Sequence, residues 1–322
     1  MAATWLTRTL GIRHPVVQAP MAGVSGGALA GAVSAAGGLG FLGVGDRTPA
    51  AWIGAQADLA RELGGRFGIG LMAWSLESHP EILEATLAAA PEMVSVSFGD
   101  PAPYVGPLHE AGTLVAVQVH DRAGALRAAD AGADILVAEG TEAGGHSGTP
   151  VGTLTLLQIV LEVGEEAGLP VLAAGGIGTG RGLAGVVAMG AVGGWIGTRF
   201  AASVEAAGSA AAKARLLAAS EADTVLTSVF DRAQGLAWPA DHLGRALRND
   251  FTDCWHGRED DLAAHLGEAA ATLDEARAGD DPTNLVVYAG QAVGLISDLP
   301  SAAEIVSRLV ADCDNTLARA LG

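Results

Sequence analysis

Two cysteines, few cations and no long apolar run bound what this chain of 322 residues can be. Cys254 and Cys313 stand far apart, which leaves no disulfide framework and no thiolate metal spacing. So sparse a thiol complement suits a reducing compartment, and the cytoplasm is the expectation. Lys and Arg number 18 against 36 Asp and Glu, a formal charge of −18. Nucleic-acid backbones are held by clustered cations, so that class of partner is disfavoured. The surplus carboxylates read as a solvated surface. No apolar stretch is long enough to cross a bilayer, so no membrane association is expected. The segment 1–13 lacks a basic stretch followed by an apolar one, so no secretion signal is expected. Missing as well are HExxH, CxxC and any Ser-His-Asp logic, and no metal is expected.

What remains is a chain half apolar, rich in Ala and Val, with 46 glycines. Short apolar runs alternate with longer Ala-rich stretches, the pattern of a parallel sheet with crossover helices. Candidate strands fall at 16–19, 39–43, 67–72, 93–97, 114–119, 135–138, 171–174 and 194–197. Their spacing is roughly 20 to 35 residues, about one βα unit each. Each run is apolar on both faces, as a strand covered by helices should be. Candidate helices fall at 26–36, 49–63, 80–89, 123–131, 154–166 and 181–189. Eight strands by residue 197 complete an α/β TIM barrel, (β/α)₈. Residues 205–281 are more charged and helical in pattern, and read as a smaller helical insertion domain covering one end. The barrel is then 1–204 with 282–322, closed by a helix over 301–321 with Ser301 as N-cap. A doubly wound open sheet is the alternative. Its dinucleotide fingerprint belongs after the first strand, where this chain has Ala19-Pro20-Met21-Ala22-Gly23 instead.

Four segments carry candidate chemistry. Gly175-Gly176-Ile177-Gly178-Thr179-Gly180 follows the seventh strand and opens a helix, where backbone N–H groups and the helix terminus suit an anion. Ile196-Gly197-Thr198-Arg199 ends the eighth strand, and Thr198 offers an N–H and a hydroxyl. Loops after these two strands recur as phosphate cups in barrels, although either alone could be a tight turn. Glu139-Gly140-Thr141-Glu142-Ala143-Gly144-Gly145-His146 ends the sixth strand, on the catalytic face. His146, flanked by glycines, is suited to proton transfer near neutral pH; the bland reading is a loop His held by local hydrogen bonds. Gln18-Ala19-Pro20-Met21-Ala22 ends the first strand, where backbone could lie against a flat ring or simply form a packed turn. Gln118, His120 and Glu139 are weaker candidates on the same face. Trp195 reads as core or as a wall of the site. Trp238, Pro239 and Trp255 are candidate lid residues, and His14, His109, His242 and His256 read as structural.

These stretches, with Ala289-Gly290-Gln291-Ala292-Val293-Gly294-Leu295-Ile296, resemble the nitronate monooxygenases and their relatives, the FMN-dependent enoyl-acyl-carrier-protein reductases. The likeness runs over nearly the whole chain. It implies FMN, no metal, and His146 as catalytic base. It implies flavin contacts from Pro20, Met21, Ala22, Gly70, Gln118, Glu139, Gly144, Gly145, Trp195 and Ile196. The phosphate would rest on Gly175, Gly176, Gly197 and Thr198. Three positions depart from the commoner pattern: Gly70 where an Asn is usual, and Glu139 and Trp195 where a Gln is usual. The implied reaction is oxidation of an alkyl nitronate, with O₂ and a small molecule as partners. The alternative is an NAD(P)H-dependent reductase of an enoyl thioester or quinone. A homodimer is compatible with the sequence, which fixes no oligomeric state.

Overall fold

The computed structural model describes residues 3–321. Eight parallel strands form the barrel: β1 (Val16–Gln18), β2 (Phe41–Gly43), β3 (Gly68–Met72), β4 (Met93–Ser97), β5 (Leu114–Val119), β6 (Ile135–Glu139), β7 (Val171–Ala174) and β8 (Gly193–Ile196). They pair in the order β1-β8-β7-β6-β5-β4-β3-β2. The two end strands close the ring just ahead of β2. Val17 bridges Leu39, and Gln18 N–H donates to the Leu39 carbonyl at 2.9 Å. The Gln18 side chain completes the seam, its Oε1 accepting the Phe41 N–H at 3.0 Å. The sequence places all eight strands, with ends that differ by one or two residues.

Alternation along the strands builds two apolar layers. Outward residues such as Leu42, Ile69, Val94 and Val117 pack under the helices. Inward residues such as Val17, Phe41, Met93, Val137 and Leu172 fill the barrel, capped by Leu6 and Leu10 of the Trp5–Leu10 helix. Trp195 belongs to this inner layer, its ring 4.7 Å from that of Phe41. Gly68 makes room for Phe41, since a Cβ there would lie 2.4 Å from the ring.

Besides the short Trp5–Leu10, Ala73–Leu76 and Thr198–Ala201 helices, a longer crossover helix escapes the sequence reading. Ala102–Glu110 links β4 to β5, and its prolines and Gly106 hide it because Pro107 lacks the N–H an interior turn needs. The closing helix, Ala302–Leu321, follows expectation, with Ser301 Oγ accepting the Glu304 N–H at 3.2 Å. It packs on the Gly180–Ala188 helix where Gly180 has no side chain.

The 205–281 segment is not helical throughout. Beside its helices it supplies strands Thr224–Thr227 and Leu243–Leu247. They form an antiparallel sheet with Gly145–Ser147, in which Gly244 stands opposite His146. Local composition does not announce Leu-Gly-Arg-Ala-Leu as a strand; pairing on both of its edges makes it one. The Gly145–Ser147 strand is likewise absent from the sequence reading. No helix among the described residues is long and apolar enough to cross a membrane.

Candidate active site at the C-terminal mouth of the barrel

The turn after β1 folds over the strand ends because glycines admit it. A Cβ on Gly43 would fall 2.2 Å from the Met21 carbonyl carbon, and one on Gly70 would fall 2.3 Å from the Pro20 ring. The Pro20 ring therefore fills the volume that a side chain at position 70 would take. Met21 N–H donates to Ser25 Oγ at 2.7 Å, and its carbonyl accepts the N–H groups of Val24 and Ser25. The Met21 main chain is thus engaged in its own turn, while Ala22 is exposed.

The loops after β7 and β8 divide their labour. Gly175 and Gly176 both have positive φ, 96° and 72°. A Cβ on Gly175 would strike Thr153 Oγ1 at 2.8 Å, whereas one on Gly176 would meet nothing closer than Glu142 Cβ at 3.7 Å. Gly175 is a packing glycine and Gly176 an open one. The helix terminus contributes less than the sequence suggests. Arg181 N–H donates to Asp312 and Gly182 N–H to Thr179 Oγ1, so two first-turn amides are already engaged. Thr198 Oγ1 accepts the Gly290 N–H at 2.9 Å and keeps its proton to donate. A Cβ on Gly197 would make only ordinary contact with Met21 Sδ at 3.6 Å.

Trp195 and Ile196, expected from sequence at the cofactor, are packed into the barrel's layers. Trp195 sits in the inner apolar layer and Ile196 in the outer one, and the Ile196 carbonyl accepts the Ala19 N–H at 3.0 Å. Gly144 also has a packing role. A Cβ there would lie 2.3 Å from the Gly290 nitrogen, so the His-bearing loop and the 289–290 turn meet backbone to backbone. Gly145, with φ of 80° and nothing within 4 Å of a Cβ, presents an open face.

Anchors from both sides hold the His-bearing loop. Glu142 Oε2 accepts the N–H and the hydroxyl of Thr153, each at 2.8 Å. Arg245 Nε donates to the Thr141 carbonyl at 2.9 Å, and burial pulls its guanidinium below the ordinary arginine range. On strands β5 and β6, Glu139 Oε2 accepts Gln118 Nε2 at 2.9 Å and lies 2.9 Å from His120 Nε2. Glu139 is buried, so two side chains satisfying one of its oxygens is what its desolvation requires.

His146 is itself buried. Its Nε2 lies 2.9 Å from Asp231 Oδ2 in the Val229–Gln234 helix. The Tyr288 hydroxyl donates to the other Asp231 oxygen at 3.3 Å. Burial, with the negative charge of Asp231, pushes the Tyr288 phenol well above its ordinary value. The Trp238 ring stacks on His146 with centroids 3.5 Å apart and planes within 3°. Around them stand Trp74 and Phe98, 5.3 and 5.0 Å from Trp238. Phe98 adopts φ of 64°, a left-handed backbone unfavourable for an aromatic residue, and so turns its ring toward the mouth. His242, read from sequence as structural, belongs here: its ring lies 5.4 Å from His120 and 5.8 Å from Phe98. Trp255 does not; it packs against His265.

Asp231, Tyr288 and Phe98 escape the sequence reading. They are single residues on unrelated segments, with no spacing to link them to His146. Of the Trp238, Pro239 and Trp255 group, only Trp238 touches the candidate base.

Residues 3–63 and 68–312 match the family model for nitronate monooxygenase. The chain belongs to the nitronate monooxygenase family. It is an oxidoreductase by that membership. A Mycobacterium tuberculosis relative, (3aS,4S,5R,7aS)-5-hydroxy-7a-methyl-1-oxo-octahydro-1H-indene-4-carboxyl-CoA dehydrogenase, is 32% identical, covering 96% of this chain and 95% of its own. Among solved structures, FabK from Thermotoga maritima superposes with a TM-score of 0.87 at 30% identity, over 100% and 99% of the two chains. Nitroalkane oxidase from Streptomyces ansochromogenes gives 0.81 at 31% identity, over 98% and 99%.

Proposed function

We propose that this protein oxidises alkyl nitronates with FMN and O₂ to a carbonyl compound and nitrite, with His146 as the base for neutral nitroalkanes. The observation that carries the reading is a single buried imidazole, paired to a carboxylate, on the loop that follows β6. The barrel face built from βα loops is where this fold does chemistry. The chain's residues fit a flavin phosphate and ring: Gly176 and Gly145 present backbone with no side chain in the way, and the Thr198 hydroxyl can donate. Gly175 and Gly197 would complete the phosphate cup through their backbone. When bound, FMN supplies the electron transfer that no side chain here can perform.

The protein's own part is positioning, exclusion and proton movement. The imidazole would take the carbon-bound proton of a nitroalkane and, once protonated, would face the nitro oxygens as a cation. Trp238, Trp74 and Phe98 would keep water from the reacting carbon. In the proposed His146→Asn variant, turnover of neutral nitroalkanes should fall by about 10²–10⁴-fold. Preformed nitronates should lose far less, read as nitrite release in air. Equal losses on both forms would rule out a base role. Absence of nitrite from several nitronates, with no anaerobic bleaching of the flavin, would rule out the reaction.

A second reading is favoured by one observation. The relative that matches over 96% of this chain is named as a dehydrogenase of a carboxyl-CoA. In this reading the substrate is an enoyl thioester or a quinone, with NAD(P)H as reductant. Rapid anaerobic bleaching by NADH or NADPH would select it.

A further inference from the structure

We propose that Asp231 and Tyr288 are positioning residues that hold His146 in its Nε2-protonated tautomer, leaving Nδ1 as the proton-accepting atom. This rests on the reading of His146 as the base.

The argument starts from what each group can offer. An ionised carboxylate only accepts hydrogen bonds, so the imidazole atom 2.9 Å from Asp231 Oδ2 must carry the hydrogen. A neutral imidazole has one N–H, and placing it on Nε2 puts the lone pair on Nδ1. The second Asp231 oxygen faces the Tyr288 hydroxyl at 3.3 Å. Burial and the Asp231 charge keep that phenol protonated well beyond its ordinary range, so it donates throughout any working pH. Asp231 is itself buried and thus has a donor on each oxygen.

The ring's remaining freedom is removed by stacking. The Trp238 indole lies parallel to the imidazole at 3.5 Å and opposes a turn about the Cβ–Cγ bond. It covers a face of the ring and not its edge, so the in-plane lone pair of Nδ1 stays available. Gly244 makes the meeting of these groups feasible. It stands opposite His146 in the small sheet, and a Cβ there would lie 2.8 Å from Tyr288 Cε1 and 3.3 Å from His146 Nε2.

The step balances simply. The substrate C–H bond breaks, its electron pair stays on carbon and spreads into the nitro group, and an N–H bond forms at Nδ1. The imidazolium so formed keeps Nε2–H directed at Asp231, whose negative charge opposes the new positive one.

In the proposed D231N variant, the carboxamide can turn its NH₂ toward Nε2 and drive the proton to Nδ1, which blocks the base. Nitrogen NMR of histidine-labelled protein reads the tautomer directly, with the His146→Asn spectrum giving the assignment. The wild-type protein should show Nε2–H, and D231N should show Nδ1–H. The rate on a neutral nitroalkane should fall by about 10³–10⁴-fold, as for a wrongly protonated histidine base. The preformed nitronate should lose less than about tenfold. The proposed Y288F should keep the tautomer and lose about tenfold on the neutral substrate, as expected for one removed donor. Wild-type protein with Nδ1–H, or D231N with an unchanged tautomer, would overturn the proposal. The wild-type measurement needs no variant to fold. Failure of all nitronates to yield nitrite would instead overturn the reaction and leave the tautomer result standing.

Discussion

At the scale of single residues, glycine decides where the site can exist, and it does so in two opposite ways. A Cβ on Gly145 would meet nothing and one on Gly176 only ordinary contact, whereas Gly70, Gly144 and Gly175 have atoms where a Cβ would go. From sequence all five read alike as cofactor contacts, Gly70 at a strand end and the others in glycine-rich loops. Only the packing of Pro20 on Gly70, or of Gly290 on Gly144, separates a cradle from a close contact. The proposed Gly70→Ala variant should therefore cost about 1–3 kcal/mol, because the rigid proline ring 2.3 Å away cannot swing aside. Gly54→Ala is the matched control. Gly54 lies exposed within the Ala50–Gly64 helix with nothing within 4 Å of a Cβ, so alanine should add about 0.5–1 kcal/mol. Urea unfolding of both variants checks the pair. A Gly70→Ala protein as stable as the control would show that the turn over β3 is loose. The residues invisible to sequence reading, Asp231 and Tyr288, are ordinary in their own neighbourhoods. Asp231 gains meaning only from the fold that carries it to His146.

At the scale of elements, strands buried on both faces announced themselves, which is why all eight were legible. In the 205–281 segment the helical pattern was legible but the strands Thr224–Thr227 and Leu243–Leu247 were not. Leu243–Leu247 is made by its partners, and its pairing with Gly145–Ser147 carries Arg245 and Gly244 to the base loop. Barrel closure is another property no single element displays. β1 and β2 share no regular ladder, and the Gln18 side chain supplies one of the bonds at their seam. In the proposed Gln18→Leu variant the buried Phe41 N–H loses its acceptor. Such an unsatisfied group costs about 1–3 kcal/mol, more than the volume-conserving change returns by burying an apolar side chain. Unfolding in urea should show that loss, and the Phe41 amide should exchange faster than those of β4 and β5. Equal exchange across the three strands would mean that the seam is held by the Leu39 bonds alone.

At the scale of the whole molecule, the charge of −18 acts on the reaction as well as on the surface. A nitronate is an anion, and its parent nitroalkane is neutral. A molecule this acidic repels the first and ignores the second, and the mouth adds Asp231, Glu139 and Glu142 to that field. Charge pairing inside the protein offsets part of this locally, since Arg245 lies close to Glu142, but it leaves the overall sign unchanged. Added salt shortens the screening length from ~30 Å at 0.01 M to ~6 Å at 0.3 M. For the anion, kcat/KM should accordingly rise by about two- to fivefold over that span, carried by a fall in KM rather than by a change in kcat. For the neutral form of the same compound it should stay flat. The two forms interconvert slowly enough to be tested separately by rapid mixing, and nitrite reads both. A kcat/KM for the nitronate that falls with salt would mean a local cationic path into the mouth. Such a path would have to run past Arg245, whose Nε donates to the Thr141 carbonyl of the His146 loop.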